Sequence, residues 1–531
     1  MSVPSKVSVL VVGGGPVGLT LSALLSGFAV DHVLIEARAT TSSHPKARGV
    51  SARSMEIFRR MGLEAAVRRA GLPASQVFFY RGRDLVDPDF TRTAPAHDPG
   101  EGEDAHTPSP GLICSQDVLE PVLARHASDL AGDRVLFGTR LVSFTDDGHG
   151  VRAVVEEVAT GTRHTVTADW LVGCDGAASG VRAGAGIAME GPTGLGRYLS
   201  VRFEAPLGDV VADRASASYF LTVPGRGGFM AVDNDRRWIY QYPLDDTVRP
   251  QDVSDQAYLA RLVRTAAGID DLDVTVHGTM IWRMDAQLAA AYRASRVLIA
   301  GDAAHTIPPT GGHGMNTGIG DVDNLAWKLA AVTAGYAGDA LLDSYGAERR
   351  PVARQVIDIS TDNARSRAGY RIDDELLLTA AYDSTALVAD PPRPGGTALD
   401  PEGHRPRCAP GRRLPHVPLP TPDGGTASTL DLVGPGFALI AQGDGAPWRR
   451  QARVVQRAGI PLTVHALGSG GHREARPGRW DAIEGTPGPS GAVLVRPDGH
   501  IAWQSDDTDG PALASVLRQI LSRAEPLTES A

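Results

Sequence analysis

The chain has 531 residues, too many for one ordinary core, so roughly three domains are expected. Its 52 Lys plus Arg against 62 Asp plus Glu give a net charge of -10, the wrong sign for a protein that binds nucleic acid by neutralising phosphates. Three cysteines, Cys114, Cys174 and Cys408, are too few and too far apart for a disulfide framework or a zinc site, which fits a reducing cytoplasm.

From Val7 to Val30 no side chain is charged, a length that could suggest a membrane span or a signal peptide. Gly13, Gly14, Gly15, Pro16 and Gly18 break the stretch in its middle, and Lys6 alone precedes it, so no membrane partner or export is expected. Val7 to Val12 reads instead as a strand buried on both faces. It leads into Gly13-x-Gly15-x-x-Gly18, with Pro16 and Val17 inside the fingerprint. A helix face of Leu19, Leu21, Leu24 and Leu25 follows, and then a second strand from His32 that ends in Glu36 and Ala37. This is the order of a dinucleotide-binding βαβ unit. The glycines let backbone approach a pyrophosphate at the helix N-terminus, and Glu36 would accept hydrogen bonds from a ribose. A glycine fingerprint alone also arises from packing, but here strand, spacing and terminal acid agree.

Further on, Trp170-Leu171-Val172 leads into Asp175 and Gly176, with a helix expected to begin near Ser179 and Arg182. "RYLSVRFEAPL", "ASYFLTVPG", "GFMAVDN" and "RRWIYQYPL" read as short alternating strands of an antiparallel sheet. They hold many aromatic residues of a chain only 5% aromatic. One face of a sheet packs the core, so about half of them are available to line a cavity.

Another apolar run ends in "GDAAHTIPPTGGHGMN", residues 301 to 316. Asp302, at the end of a buried strand, can accept hydrogen bonds from ribityl hydroxyls. Gly311, Gly312, His313 and Gly314 bring bare backbone to the N-terminus of a helix beginning near Met315 and Asn316, where unpaired N–H groups favour an anion. A reduced flavin carries its negative charge on the pyrimidine edge of its ring, and this turn is built to receive that anion. His305 and His313 have no Cys or carboxylate set at metal spacing beside them, and no metal is expected. A proline-rich break, "DPPRPGGTALDPEGHRPRCAPGRRLPH", precedes a last segment of strand, helix, strand, a hairpin turning at Asp498-Gly499 and a closing helix. No Cys-x-x-Cys is present, which excludes thiol redox chemistry there.

The Gly13 to Gly18 fingerprint, the Asp175-Gly176 motif and the Gly301-Asp302 motif together resemble the class A flavoprotein monooxygenases, the FAD-dependent aromatic hydroxylases. The resemblance implies an α/β fold with a discontinuous Rossmann-like FAD domain (1–185 and 286–395), an antiparallel-sheet substrate domain (186–285) and a C-terminal thioredoxin-like domain (396–531), the last structural or supporting a homodimer. "HPKARGVSARSMEIFRRMG" is similar to the family segment along the flavin edge, which assigns Lys46, Arg48 and Arg53 to FAD. "CSQDVLEPVL" does the same for Gln116, and Pro309, Gly314, Met315 and Asn316 complete the cofactor set. Implied catalytic residues are Arg48, Pro308 and Gly312. Tyr219, Phe229, Tyr240, His313 and Tyr382 are the candidates for substrate contact.

The implied reaction is reduction of FAD by NADPH or NADH, addition of dioxygen to give a flavin hydroperoxide, and attack on it by an electron-rich phenol carbon. The dry turn around Pro308, Pro309 and Thr310 suits such chemistry. "AYDSTALV" is similar to a segment of aromatic polyketide hydroxylases and favours a polycyclic substrate. An indolocarbazole-type oxygenase or a Baeyer-Villiger enzyme on the same scaffold stays open, as does, from a different class, an FAD dehydrogenase or a non-catalytic flavin-binding protein.

Overall fold

A computed structural model describes residues 3–93, 105–244, 252–365, 373, 375–389, 399–400, 405–468 and 471–525. Much of the proline-rich break lies outside these residues.

The first sheet is built on Lys6–Val12, which pairs in parallel with His32–Glu36 on one side and Arg163–Gly173 on the other. Val7, Val9, Leu10 and Val11 are buried, as a central parallel strand covered on both faces requires. Val297–Ile299 adds in parallel to Arg163–Gly173, so the chain returns to this sheet after a long excursion. Val135–Phe137 pairs with His32–Glu36, and Thr139–Asp146 and Val151–Glu157 extend the sheet from the Arg163–Gly173 side; none of these three strands had been expected. The Pro16–Gly27 and Gly314–Thr333 helices pack on each other and bring the glycine fingerprint beside the later glycine turn.

A second sheet runs Thr275–Met284, Gly196–Glu204, Arg237–Pro243, Gly228–Ala231, Ser218–Leu221, Phe79–Gly82, Thr91–Thr93. The four strands read from the sequence are present and antiparallel. Phe79–Gly82, however, joins in parallel to Ser218–Leu221, and Thr91–Thr93 pairs with it, so two strands that precede residue 185 belong to this sheet. They are strands of three and four residues, too short to show alternation. One face is closed by the Gln256–Ala267 helix, whose Leu259 and Val263 enter a core with Tyr80, Phe203, Phe229 and Trp238.

The C-terminal sheet runs Leu462–Leu467, Phe437–Gln442, Ala492–Val495, Ile501–Ser505, with the first pair parallel and the others antiparallel. The Ala446–Arg457 helix follows its first strand and Leu513–Ile520 closes the chain, the thioredoxin-like order. Trp327, Leu341, Val352 and Val356 of the first unit share one apolar core with Phe437, Leu439, Trp448 and Trp503, so the two units are packed together rather than tethered. Among the described residues no helix is long and apolar enough to cross a membrane.

Candidate functional site

A continuous cavity of about 1410 Å³ lies between the C-terminal ends of the first sheet's strands and the open face of the second. This is the topological position at which open α/β sheets bind ligands. Ordinary small-molecule sites hold about 300–1,000 Å³, so this one has room for a dinucleotide and a further ligand.

At its dinucleotide end lie Gly13, Gly15, Pro16 and Val17, then Glu36 and Ala37. Gly13 has φ +110°, and a Cβ there would fall 2.3 Å from the Cys174 carbonyl oxygen. Gly18 does not face the cavity. A Cβ on it would meet the Gly13 oxygen at 1.9 Å, so its task is close packing of helix on strand, a correction to its assignment as a cofactor contact. Gly15 has no heavy atom near its Cβ position, leaving open space before the helix N-terminus. Glu36 accepts from the Gly14 amide at 2.6 Å and from Arg38 N and Nε at 2.9 Å. Burial works to raise its pKa, but the bonds from Arg38 and Gly14 outweigh it and hold Glu36 below the usual carboxylate range. An ionised acceptor therefore faces the cavity.

Lys46, Arg48, Gln116, Asp175 and Gly176 also line it. The Arg48 guanidinium is turned to the second sheet, donating to the Ala217 oxygen at 2.5 Å and the Ala231 oxygen at 2.8 Å, so it works as a strut between the 45–49 loop and that sheet. Gln116 accepts from Ala47 N at 3.1 Å and donates to Glu120, which in turn accepts from Ser42 N at 2.6 Å. Glu120 was missed by sequence reading, although it lies in the same quoted segment. Asp175 caps the Gly180–Gly184 helix by accepting from Ser179 Oγ at 2.5 Å and Val181 N at 3.0 Å.

From the opposite side come Asp302, Pro309, Gly312, Gly314 and Met315. Asp302 opens to the cavity but is surrounded by protein, which pushes its carboxyl up, opposed by His305 and Lys46. Gly301 and Pro308 do not reach the cavity. Gly301, at φ +63°, donates its N–H to Asp321 Oδ2 at 3.1 Å and sets the turn that presents Asp302. Pro308 is buried while Pro309 is exposed to the cavity, because adjacent residues of an extended turn face opposite ways. Asn316 is buried as well. Its amide donates to the oxygens of Gly49 and Gly312 and accepts from Ser51 N and Ser54 Oγ, so it holds the glycine turn instead of touching a ligand.

Arg53 is corrected outright. Its guanidinium donates to Glu56, Asp323 and the Asp498 oxygen, away from the cavity. Asp321 and Arg349, unsuspected from the sequence, support the Gly301 turn and the start of the Gly314–Thr333 helix: Arg349 donates to Asp321 Oδ1 at 2.9 Å and to the Thr317 oxygen at 3.0 Å.

All five candidates for substrate contact lie elsewhere. Tyr219, Phe229 and Tyr240 sit in the core beneath the second sheet. The cavity wall is made by their neighbours of opposite parity, Ser218, Phe220, Met230 and Gln241, with Tyr198, Met280 and Trp282. Tyr198 and Trp282 stack at 4.5 Å. A two-residue period fixes which residues share a face but not which face is core, and the Gln256–Ala267 helix decides that here. His313 is buried under the glycine turn, with its pKa pushed down to about 4 by burial. Tyr382 is buried where the first unit meets the C-terminal domain, stacked on His500 at 4.1 Å.

The site thus fits FAD: a glycine cradle, an ionised acid at the second strand, a carboxylate on the far side and a helix N-terminus at the turn. Residues 6–360 match the family model of an FAD binding domain, and residues 407–524 match that of the aromatic-ring hydroxylase C-terminal domain. The chain is 36% identical to tetracenomycin B2 monooxygenase-dioxygenase of Streptomyces olivaceus, over 98% of this chain and 99% of that one. Among solved structures it is similar to the flavin-dependent monooxygenase PieE in complex with FAD and substrate, at 31% identity and TM-score 0.89, covering 98% and 99% of the two chains. It is also similar to aklavinone-11 hydroxylase with FAD and aklavinone, at 32% identity and TM-score 0.85, covering 98% and 100%.

Proposed function

The chain belongs to the FAD-dependent aromatic-ring hydroxylases, and from this we propose that it hydroxylates a polycyclic, polyketide-type phenol with NADPH or NADH as reductant. The observation that carries this reading is the cavity itself. One end is polar and shaped for a dinucleotide; the other is an open aromatic and thioether wall, Phe79, Phe220, Met230, Met280 and the Tyr198–Trp282 stack. Such a wall suits flat fused rings, with Gln241 beside it to hold a hydroxyl group. The names of its relatives point the same way.

Bound FAD, once reduced, supplies from dioxygen the oxygen atom transferred to the ring. The protein's own part is placement and exclusion of water. Glu36, Gln116, Asp175 and Asp302 would hold the dinucleotide, and Gly312, Gly314 and Met315 would present the helix N-terminus to it, where the helix dipole favours negative charge. Pro309 and the apolar wall would help exclude water from the reacting region, and the sheet would orient the substrate ring.

The test is incubation of FAD-loaded protein with NADPH and a panel of hydroxylated anthraquinones and naphthacenequinones under isotopically labelled dioxygen, with mass analysis of products. One labelled oxygen added as a ring hydroxyl is expected. Insertion into a carbon–carbon bond would replace the hydroxylase reading with the Baeyer-Villiger one. Reductant consumption with no label in any product would favour the dehydrogenase reading.

A further inference from the structure

The Ala492–Val495 and Ile501–Ser505 strands of the C-terminal sheet are joined by Arg496-Pro497-Asp498-Gly499-His500. Pro497 presets the turn, Gly499 takes the left-handed φ of +78°, and the Gly499 amide donates to the Arg496 oxygen at 2.9 Å. This turn is driven into the first unit. Arg496 pairs with Glu348 at 2.6 Å and with Asp498, Lys328 donates to Glu348 at 2.8 Å, and Trp327 Nε1 reaches Asp498 at 3.3 Å. Arg496, Glu348 and Lys328 have side chains 0% exposed. Buried ion pairs add little stability over packed apolar side chains, and their best-attested use is to fix geometry.

Two buried chains of contacts, made of hydrogen bonds, ion pairs and one ring stack, lead from this turn toward the flavin cavity. In the first, the Asp498 oxygen accepts from Arg53 at 2.5 Å, and Arg53 and Arg60 pair with Asp323 of the Gly314–Thr333 helix. Arg53 belongs to the Ala52–Arg60 helix; its N-cap Ser51 and its Ser54 donate to Asn316 at 2.9 and 2.8 Å, and Asn316 donates to the Gly312 oxygen at 2.8 Å. In the second, His500 stacks on Tyr382, whose hydroxyl accepts from Arg349 at 3.1 Å. Arg349 then holds Asp321, which accepts from Gly301 N beside Asp302.

We propose that the Arg496–His500 turn is a positioning element of the flavin site, holding the Gly301-Asp302 turn and the Gly312 turn through two separate chains. The C-terminal domain would then be part of the cofactor cradle rather than an appendage. Tyr382, Arg349 and Arg53 are positioning residues on this reading. It rests on FAD as the cofactor and is independent of the substrate.

Tyr382→Phe in the full-length protein keeps the ring on His500 and deletes the hydroxyl that Arg349 donates to. FAD affinity is measured by titrating the apoprotein with FAD and following flavin fluorescence. The dissociation constant is expected to rise about fivefold, the equivalent of one lost hydrogen bond, with the apoprotein melting temperature unchanged. The same substitution made on top of Asp302→Ala should change the constant little, because the path ends at Asp302. Arg53→Gln probes the other chain in the same way against Asn316→Ala, and if it fails to fold, Tyr382→Phe decides. Unchanged affinity in Tyr382→Phe overturns the proposal. So does a rise undiminished in the Asp302→Ala background, or one accompanied by a matching drop in apoprotein melting temperature.

Discussion

The side-chain amide of Asn316 donates at once to the Gly312 oxygen at 2.8 Å and to the Gly49 oxygen at 3.0 Å, joining two loops from opposite ends of the first unit. Asn316→Asp keeps the size but cannot donate, and it sets a negative charge against two carbonyls. Flavin content of the purified protein, read as the ratio of flavin to protein absorbance, is expected to fall well below wild type. Full occupancy would show that the glycine turn holds its shape without this amide.

Asp302→Ala removes the carboxylate that faces the cavity beyond the Gly301 turn. On the proposal that Asp302 accepts from ribityl hydroxyls, losing this charged acceptor would cost about 1.5–3 kcal/mol, a rise of roughly 10- to 150-fold in the FAD dissociation constant. Fluorescence titration of the apoprotein measures this. A constant within twofold of wild type would restrict Asp302 to a structural role.

The parity of the Ser218–Leu221 and Gly228–Ala231 strands gives a paired test. Phe229 is fully buried against Phe203 and Tyr240, and Phe229→Ala should cost about 3–5 kcal/mol of stability, seen as a lower melting temperature. Phe220 faces the cavity, so Phe220→Ala should leave melting nearly unchanged while raising KM for the aromatic substrate or redistributing its products. Equal loss of stability in both variants would contradict the assignment of faces.

Two buried histidines set a pH dependence. Burial pushes His313 down to about 4, opposed by Asp373, and His500 down to about 4, opposed by Asp498. Both bind a proton more readily when unfolded. Their contribution to stability is therefore complete above the unfolded value near 6.5 and is lost as pH falls from there toward 4. Each contributes at most about 3 kcal/mol. Melting temperature should drop between pH 7 and pH 5, and His313→Gln should flatten that drop. A wild-type profile flat across this range would contradict the assignment.

Gly314 is helical, and a Cβ on it would meet only Ile307 of the protein at 3.9 Å, so Gly314→Ala should fold with a melting temperature close to wild type. Gly312, at φ +74° and facing the cavity, is the position at which alanine carries backbone strain of order 1–2 kcal/mol. Spectra and FAD affinity of the two variants, compared side by side, should separate them in that order.

The sequence by itself determined what is local. The Lys6–Val12 strand, the glycine turn, the Pro16–Gly27 helix and Glu36 form one continuous segment whose spacing already carries its geometry, and the Gly301 to Met315 turn does the same on the far side. The strand, helix, strand and hairpin order of the last segment was legible for the same reason. Tertiary structure decided whatever depends on which partner covers a face. Tyr219 and Phe220 are adjacent in an alternating strand, and nothing within that strand says which looks into the cavity until the Gln256–Ala267 helix takes the other side. Arg53 stands in a motif similar to one that lines a flavin, yet Asp323 and Asp498, from two distant parts of the chain, draw its guanidinium away. Asp321, Arg349 and Glu120 carry no local signature because they act through contacts 20 to 78 residues away in sequence. Their roles come into being only when the chain has closed around them.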